Sequence, residues 1–144
     1  MKALEQKIIK EGTVLPGNIL KVGSFLNHQI DVDFTMEMGK EIAELFKDDG
    51  VTKILTIETS GIAIAVGAGA ALHVPVVFAK KHKSSNVSGE VYKTVVHSYT
   101  HGTDYNVVVE KNYLNSEDKI LIVDDFLANG KALKGLIDIV NQAG

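Results

Sequence analysis

Two adjacent acids, Asp124 and Asp125, follow the apolar run Ile120-Leu121-Ile122-Val123 and precede Phe126-Leu127-Ala128-Asn129-Gly130-Lys131-Ala132. The apolar run suits a buried strand, so the acids fall where that strand ends. Ala128, Asn129 and Gly130 are small enough for a loop to come close to a ligand. Lys131 adds a positive charge, and the helix that follows the loop presents unpaired backbone N–H groups. Carboxylates beside such a loop can bind two hydroxyls and a phosphate of one small molecule.

Other chemistries use these residues less well. A receiver-type acidic pair binds Mg²⁺ at a strand end, but it follows the first strand, whereas this pair comes near the end of the sequence. A nucleotide P-loop needs Gly, four residues, then Gly-Lys-Ser/Thr. Asp125 and Ala132 occupy the two diagnostic positions, so that pattern fails although a single phosphate can still sit on the helix N-terminus. A plain polar strand end with a capping acid needs one carboxylate and no small-residue loop. Ligand binding at the end of a strand in an open α/β sheet uses every residue of the stretch.

Glu58-Thr59-Ser60-Gly61 is a second strand-end turn, weak as a signal alone. Its value is positional, because two parallel strands ending in polar loops put two anion sites on one edge of a sheet. Lys80, Lys81 and Lys83 form a basic group after a third strand. A solvated loop and a contact to a diphosphate both fit it. The five histidines (His28, His73, His82, His97, His101) show no metal-ligand spacing and read as structural or exposed.

These loops need a scaffold, and the composition permits one. The chain has 144 residues, 45% hydrophobic and 23% charged, enough for a domain with a real core. The net charge of -3 gives no footprint for general nucleic-acid binding. All 15 basic residues are Lys, so any phosphate contact from a basic side chain is a point charge rather than a bidentate fork. Cys is absent, which excludes disulfides, a cysteine nucleophile and zinc–thiolate sites. The first residues carry charges throughout, unlike a signal peptide, and no apolar run is long enough to cross a membrane.

Periodicity predicts the elements. Residues 2–11 read as an amphipathic helix stopped by Gly12. Residues 13–32 fit neither period, yet Leu20, Val22, Phe25, Leu26 and Ile30 make them an apolar, irregular flap. A helix over 34–47 is expected, capped by Asp33, then a strand over 51–57, a small-residue helix over 62–72 and a strand over 75–79. Strand, helix, strand implies a right-handed crossover in a parallel sheet. A polar, mobile loop over 80–89 is expected, followed by β-rich runs at 90–99 and 105–110 joined as a hairpin. A polar loop over 112–118, a strand over 119–123 and a helix over 129–142 complete the reading as a single α/β unit. A βα unit usually returns to another strand, so the sheet is expected to lack strands that a longer version would have.

The stretch ILIVDDFLANGKA resembles the diphosphate-sugar signature of type I phosphoribosyltransferases. Residues 19–31 (ILKVGSFLNHQID), 53–63 (KILTIETSGIA), 74–83 (VPVVFAKKHK) and 123–132 (VDDFLANGKA) are similar to its bacterial xanthine phosphoribosyltransferase branch. The resemblance implies the type I fold: a central, mostly parallel sheet flanked by helices, with a β-hairpin loop and an N-terminal hood. It divides the single domain into a hood or flap over 1–32 and a core over 33–144, with C-terminal strands missing. The implied reaction is purine salvage, in which xanthine and 5-phosphoribosyl 1-diphosphate give xanthosine 5′-monophosphate and diphosphate. Asp124 and Asp125 would face the ribose hydroxyls, and Ala128, Asn129, Gly130, Lys131 and Ala132 would hold the 5-phosphate. Glu58, Thr59, Ser60 and Gly61 would lie near the diphosphate, and Leu20 and Asn27 would contact the purine. Lys81 would reach a neighbouring subunit's diphosphate in a homodimer. Mg²⁺ would arrive with the diphosphate substrate, without a dedicated protein metal site. The resemblance further implies a cytoplasmic enzyme with no nucleic-acid or membrane partner. A regulator that binds the diphosphate sugar without chemistry, or an inactive remnant, are the competing readings. Residues 84–113 follow the family only loosely, and Val66-Gly67-Ala68-Gly69 is richer in Gly than the family leads one to expect.

Overall fold

The computed structural model describes residues 1–17, 19–82, 89–98 and 103–144. Helix α1 (Lys2–Glu11) leads into strands β1 (Thr13–Leu15) and β2 (Ile19–Lys21), an antiparallel pair around Pro16-Gly17. Gly17 has φ +85°, the left-handed conformation that lets the turn close in so few residues. A π-helical turn, Gly23–Asn27, follows. The flap is therefore more regular than its mixed periodicity suggests, because these pieces are too short to show a period. Val22, Phe25 and Leu26 anchor it in the core, and the Lys7 ammonium lies 5.4 Å from the Phe25 ring centre and 5.0 Å from that of Phe34.

Helix α2 (Val32–Phe46) starts two residues before the expected position. Asp31, not Asp33, is its cap: the Asp31 carboxylate accepts the Phe34 N–H at 3.1 Å. The same carboxylate takes the Lys7 ammonium at 2.7 Å, so one acid caps α2 and ties α1 to it. Lys7 and the Phe34 N–H hold the Asp31 carboxyl below its ordinary pKa. Asp33 remains in the first turn, where a negative charge suits the helix dipole.

Strand β3 (Lys53–Ile57), helix α3 (Gly61–Leu72) and strand β4 (Val76–His82) form the expected parallel crossover unit, with Ile57 beside Ala79. Strands β5 (Val91–Ser98) and β6 (Thr103–Glu110) are antiparallel, then β7 (Ile120–Ile122) leads towards helix α4 (Lys131–Ala143). The five-stranded order is β5-β6-β4-β3-β7, so β4, β3 and β7 run parallel and the hairpin extends one edge antiparallel. Three residues assigned to a loop on composition, Lys80, Lys81 and His82, belong to β4. They pair with Val108, Val107 and Asn106. A partner strand that satisfies the backbone outweighs the polarity of the side chains. Residues 83–88 of the expected loop and 99–102 lie outside the described residues, and Thr103 and Asp104, expected in the hairpin turn, belong to β6 through pairing with β5.

The sheet has two differently filled faces. Ile54, Leu121 and Val123 join α2, α3 and the flap in one core. Leu55, Ile57, Ala79, Val107 and Val109 join Leu136 and Ile139 of α4 in the other. The Gly-rich stretch of α3 is explained by contact distance. A Cβ on Gly39 would lie 2.2 Å from the Gly67 carbonyl carbon, and one on Gly69 would lie 2.6 Å from Val76 Cγ2. Helices α2 and α3 thus meet backbone to backbone, and Gly69 makes room for the Val76 side chain of the sheet, both of which favour glycine.

Candidate functional site

Strand alternation decides where the first acid points. Ile120 and Ile122 pack on the α4 face, and Asp124 continues their period, beyond a Val123 whose N–H still bonds to the Leu55 carbonyl at 3.0 Å. Asp124 is half-buried there, and its carboxyl is pushed up to about 6. Burial is the main cause; the Asp125 N–H, which donates to Asp124 Oδ1 at 2.9 Å, opposes it. The adjacent Asp125 carboxylate raises it further, and the Lys81 ammonium lowers it. The Asp125 carboxylate in turn accepts the Phe126 N–H at 3.0 Å.

The turn after β3 closes against Asp124. A Cβ on Gly61 would stand 2.4 Å from Thr56 Oγ1 and 3.0 Å from Asp124 Oδ1, so Gly61 lets the turn and the acid share one space. The Glu58 N–H bonds to the Ala79 carbonyl at 3.0 Å, the Glu58 carboxylate accepts the Lys81 N–H, and the Ile62 N–H bonds to the Thr59 carbonyl at 3.2 Å. The Glu58–Thr59 peptide is cis. Three strand ends, of β7, β3 and β4, are thereby brought together with Asp124, Glu58 to Gly61 and Lys81.

The third component is the loop into α4. Ala128 (φ +43°) and Gly130 (φ +71°) both adopt left-handed backbone around Asn129. Asn129 Oδ1 accepts the Lys131 N–H at 3.3 Å, and the Gly130 N–H closes on the Leu127 carbonyl at 2.7 Å. Helix α4 starts at Lys131, two residues after the expected position, because the left-handed Gly130 stands at its cap. Ala132 lies in its first turn, where amide hydrogens face outward.

Leu20 packs partly against the flap-side core, whereas Asn27 is exposed at the end of the π-helical turn. The resemblance alone associates these two with the site. Two residues were missed on sequence. Thr56 is fully buried, directly under Gly61, and its hydroxyl has no hydrogen-bond partner among the described residues. Tyr105 lies within electrostatic reach of Asp124, whose charge, after burial, raises its phenol. The alternation Tyr105, Val107, Val109 was the available signal that Tyr105 faces inward.

Among the described residues no three His, Asp or Glu side chains converge as a metal site. The acidic pair nonetheless suits a dication that brings its other ligands with it, because the raised Asp124 carboxyl gains from any neighbouring cation or donor. Among the described residues no helix is long and apolar enough to cross a membrane.

The arrangement matches known proteins at two levels. Residues 24–144 match the family described as phosphoribosyl transferase domain. The xanthine phosphoribosyltransferase of Listeria innocua is 56% identical over 144 residues, all of this chain and 75% of that protein. That of Lactiplantibacillus plantarum is 53% identical over 143 residues, 99% of this chain and 73% of that protein. The fold is also that of adenine phosphoribosyltransferase from Rhodothermus marinus, with TM-score 0.73 at 20% identity over 99% of this chain and 80% of that one. Strand-end acids, small-residue loop and sequence identity agree, and the chain belongs to the phosphoribosyl transferase family, among the bacterial xanthine phosphoribosyltransferases.

Proposed function

We propose that the strand-end site transfers the 5-phosphoribosyl group from 5-phosphoribosyl 1-diphosphate to xanthine, giving xanthosine 5′-monophosphate and diphosphate for purine salvage. The observation that carries this reading is the convergence of Asp124, the 58–61 turn and Lys81, with the start of α4 one short loop further along the chain. Identity above half with proteins named xanthine phosphoribosyltransferase supports the choice of base.

In this reading the bond from ribose C1 to the diphosphate oxygen breaks, and diphosphate leaves with the electron pair. A purine ring nitrogen takes its place at C1, and its proton passes to solvent. Positive charge builds on the ribose as the bond breaks. Asp124 and Asp125 hold the ribose hydroxyls and stabilise that charge through fixed carboxylates. The 5-phosphate sits on Ala128, Asn129, Gly130, Lys131 and Ala132, where backbone N–H groups and the α4 N-terminus favour an anion. Glu58, Thr59, Ser60 and Gly61 border the diphosphate. The resemblance gives Lys81 to a neighbouring subunit's diphosphate, but its reach to Asp124 of its own chain supports a contact within the subunit, where it offsets the diphosphate charge. Leu20 and Asn27 of the flap contact the purine. Holding sugar and base together removes most of the orientational cost.

Mg²⁺, carried on the diphosphate and met by the acidic pair, would supply further charge neutralisation of the leaving group. Residues 1–144 act as one unit in this reading, with 1–32 as hood and 33–144 as core. The partner is a second copy of the chain, and the setting is cytoplasmic. Conversion of radiolabelled xanthine to its 5′-monophosphate, dependent on the diphosphate sugar and Mg²⁺, is the direct test. Tight binding of the sugar without product would instead identify a regulator.

A further inference from the structure

The pairing of β4 with β6 sets two side chains diagonally. Lys81 stands opposite Val107, and Tyr105 is the next residue of β6 on that same face. Diagonal neighbours across an antiparallel pair are about 7–8 Å apart at the backbone, within reach of a long side chain and an aromatic ring. The Lys81 Nζ indeed lies 5.5 Å from the centre of the Tyr105 ring, within cation–π range. The ring is half-buried and borders the core of Val107 and Val109, so its base is fixed. The Lys81 main chain is fixed too, because its N–H donates to the Glu58 carboxylate. Only the four-carbon stem is left free to wander, and a lysine stem carries large rotamer entropy.

We infer that Tyr105 is a positioning residue for Lys81: its ring face holds the ammonium on the strand-end side of the sheet, aimed at a diphosphate bound beside Glu58 and Asp124. Resting on the transferase reading for its ligand, the assignment adds a residue on the hairpin to a site otherwise made by the parallel strands. The electrostatics agree. Lys81 stabilises the ionised Asp124, and Asp124 raises the Tyr105 phenol after burial has done so. Lys81 and Tyr105 therefore both lie within electrostatic reach of Asp124. The ring face does the holding, so the hydroxyl is dispensable and phenylalanine should serve as well.

Calorimetry with inorganic diphosphate and Mg²⁺ reads Lys81 without requiring turnover. Tyr105→Leu should weaken diphosphate about threefold, the scale of one exposed cation–π contact. Tyr105→Phe should bind as the unaltered chain does, and in a Lys81→Ala background Tyr105→Leu should change nothing further. An equal loss with and without Lys81, no loss at all, a Phe variant as weak as the Leu variant, or an unaltered chain that does not bind diphosphate would each overturn the assignment. Diphosphate binding with this pattern but no transfer to xanthine would leave it standing and defeat the transferase reading instead.

Discussion

The turns after β3 and β7 both end a parallel strand and begin a helix, yet they are built in opposite ways. The 58–61 turn is held from several sides. Glu58 is bonded through its amide to Ala79 and through its carboxylate to Lys81, and Gly61 is wedged between Thr56 and Asp124. Among the described residues, the hydrogen bonds of the 125–130 loop run between residues one to four apart, and Phe126, Leu127, Ala128 and Asn129 are exposed. The helices behind them differ in the same sense. Helix α3 is buried on several sides, whereas α4 buries one stripe, Gly135, Leu136 and Ile139, and leaves Ile137 and Asp138 exposed. A rigid turn beside an adaptable one suits a ligand that must be gripped at one end and admitted at the other. Substitutions in the two turns should therefore behave differently.

The acid that touches both turns should give the largest effect. Asp124→Asn is expected to lower kcat/KM for the diphosphate sugar by about a hundredfold or more, the scale of losing one preorganised electrostatic group. Its stability should move the other way. The folded carboxyl, at about 6, lies above its ordinary 3.8. The native state therefore binds the proton more tightly than the unfolded chain, and stability falls as pH rises through roughly pH 4 to 6. Denaturation midpoints of the two proteins should coincide near pH 4 and separate by pH 7 in favour of Asn. Activity of the unaltered chain should fall on acidification through about pH 6. A less stable Asn variant at pH 7 would mean that the 58–61 turn leans on the charge of Asp124 rather than merely touching it.

Gly61→Ala comes next. The new methyl would meet Thr56 Oγ1 at 2.4 Å and Asp124 Oδ1 at 3.0 Å, and Thr56 is held within β3. Overpacking of this kind costs about 1–3 kcal/mol. Urea denaturation should show that loss, and turnover should drop further than the fraction unfolded accounts for, because Asp124 is displaced. A variant with full stability and full turnover would show that the turn after β3 is as yielding as the one after β7.

Much of this contrast was legible in the residues, and the exceptions have physical causes. The acidic pair, the small-residue loop and both strand-end turns could be located because strand-end chemistry is local in sequence. The cap at Asp31 was misread as Asp33 because two acids two residues apart satisfy the same local rule. The choice depends on Lys7, which is distant in sequence. The extension of β4 through Lys80, Lys81 and His82 was hidden for the same reason, since β6 supplies its partners. Tyr105 required the register between two strands before it could be set beside Lys81. The Gly-rich stretch of α3 became intelligible only once Gly39 of α2 was seen against Gly67.

The smallest effect should come from the self-contained turn. Ala128 sits at φ +43° and Gly130 at φ +71°. An L-residue with a side chain pays roughly 1–2 kcal/mol for left-handed backbone, against the roughly 0.5–1 kcal/mol of extra chain entropy that a glycine loses on folding. Ala128→Gly should therefore be neutral to slightly stabilising, by about 1 kcal/mol at most. Gly130→Ala should destabilise by about the same amount. A Cβ at Gly130 meets nothing nearer than Leu127 Cδ1 at 3.9 Å, so strain rather than collision sets the cost. The opposite signs, measured by urea denaturation, test whether this turn is governed by its own backbone alone. A loss at Ala128→Gly as large as that at Gly61→Ala would mean that Ala128 is clamped from outside, and the difference between the two turns would disappear.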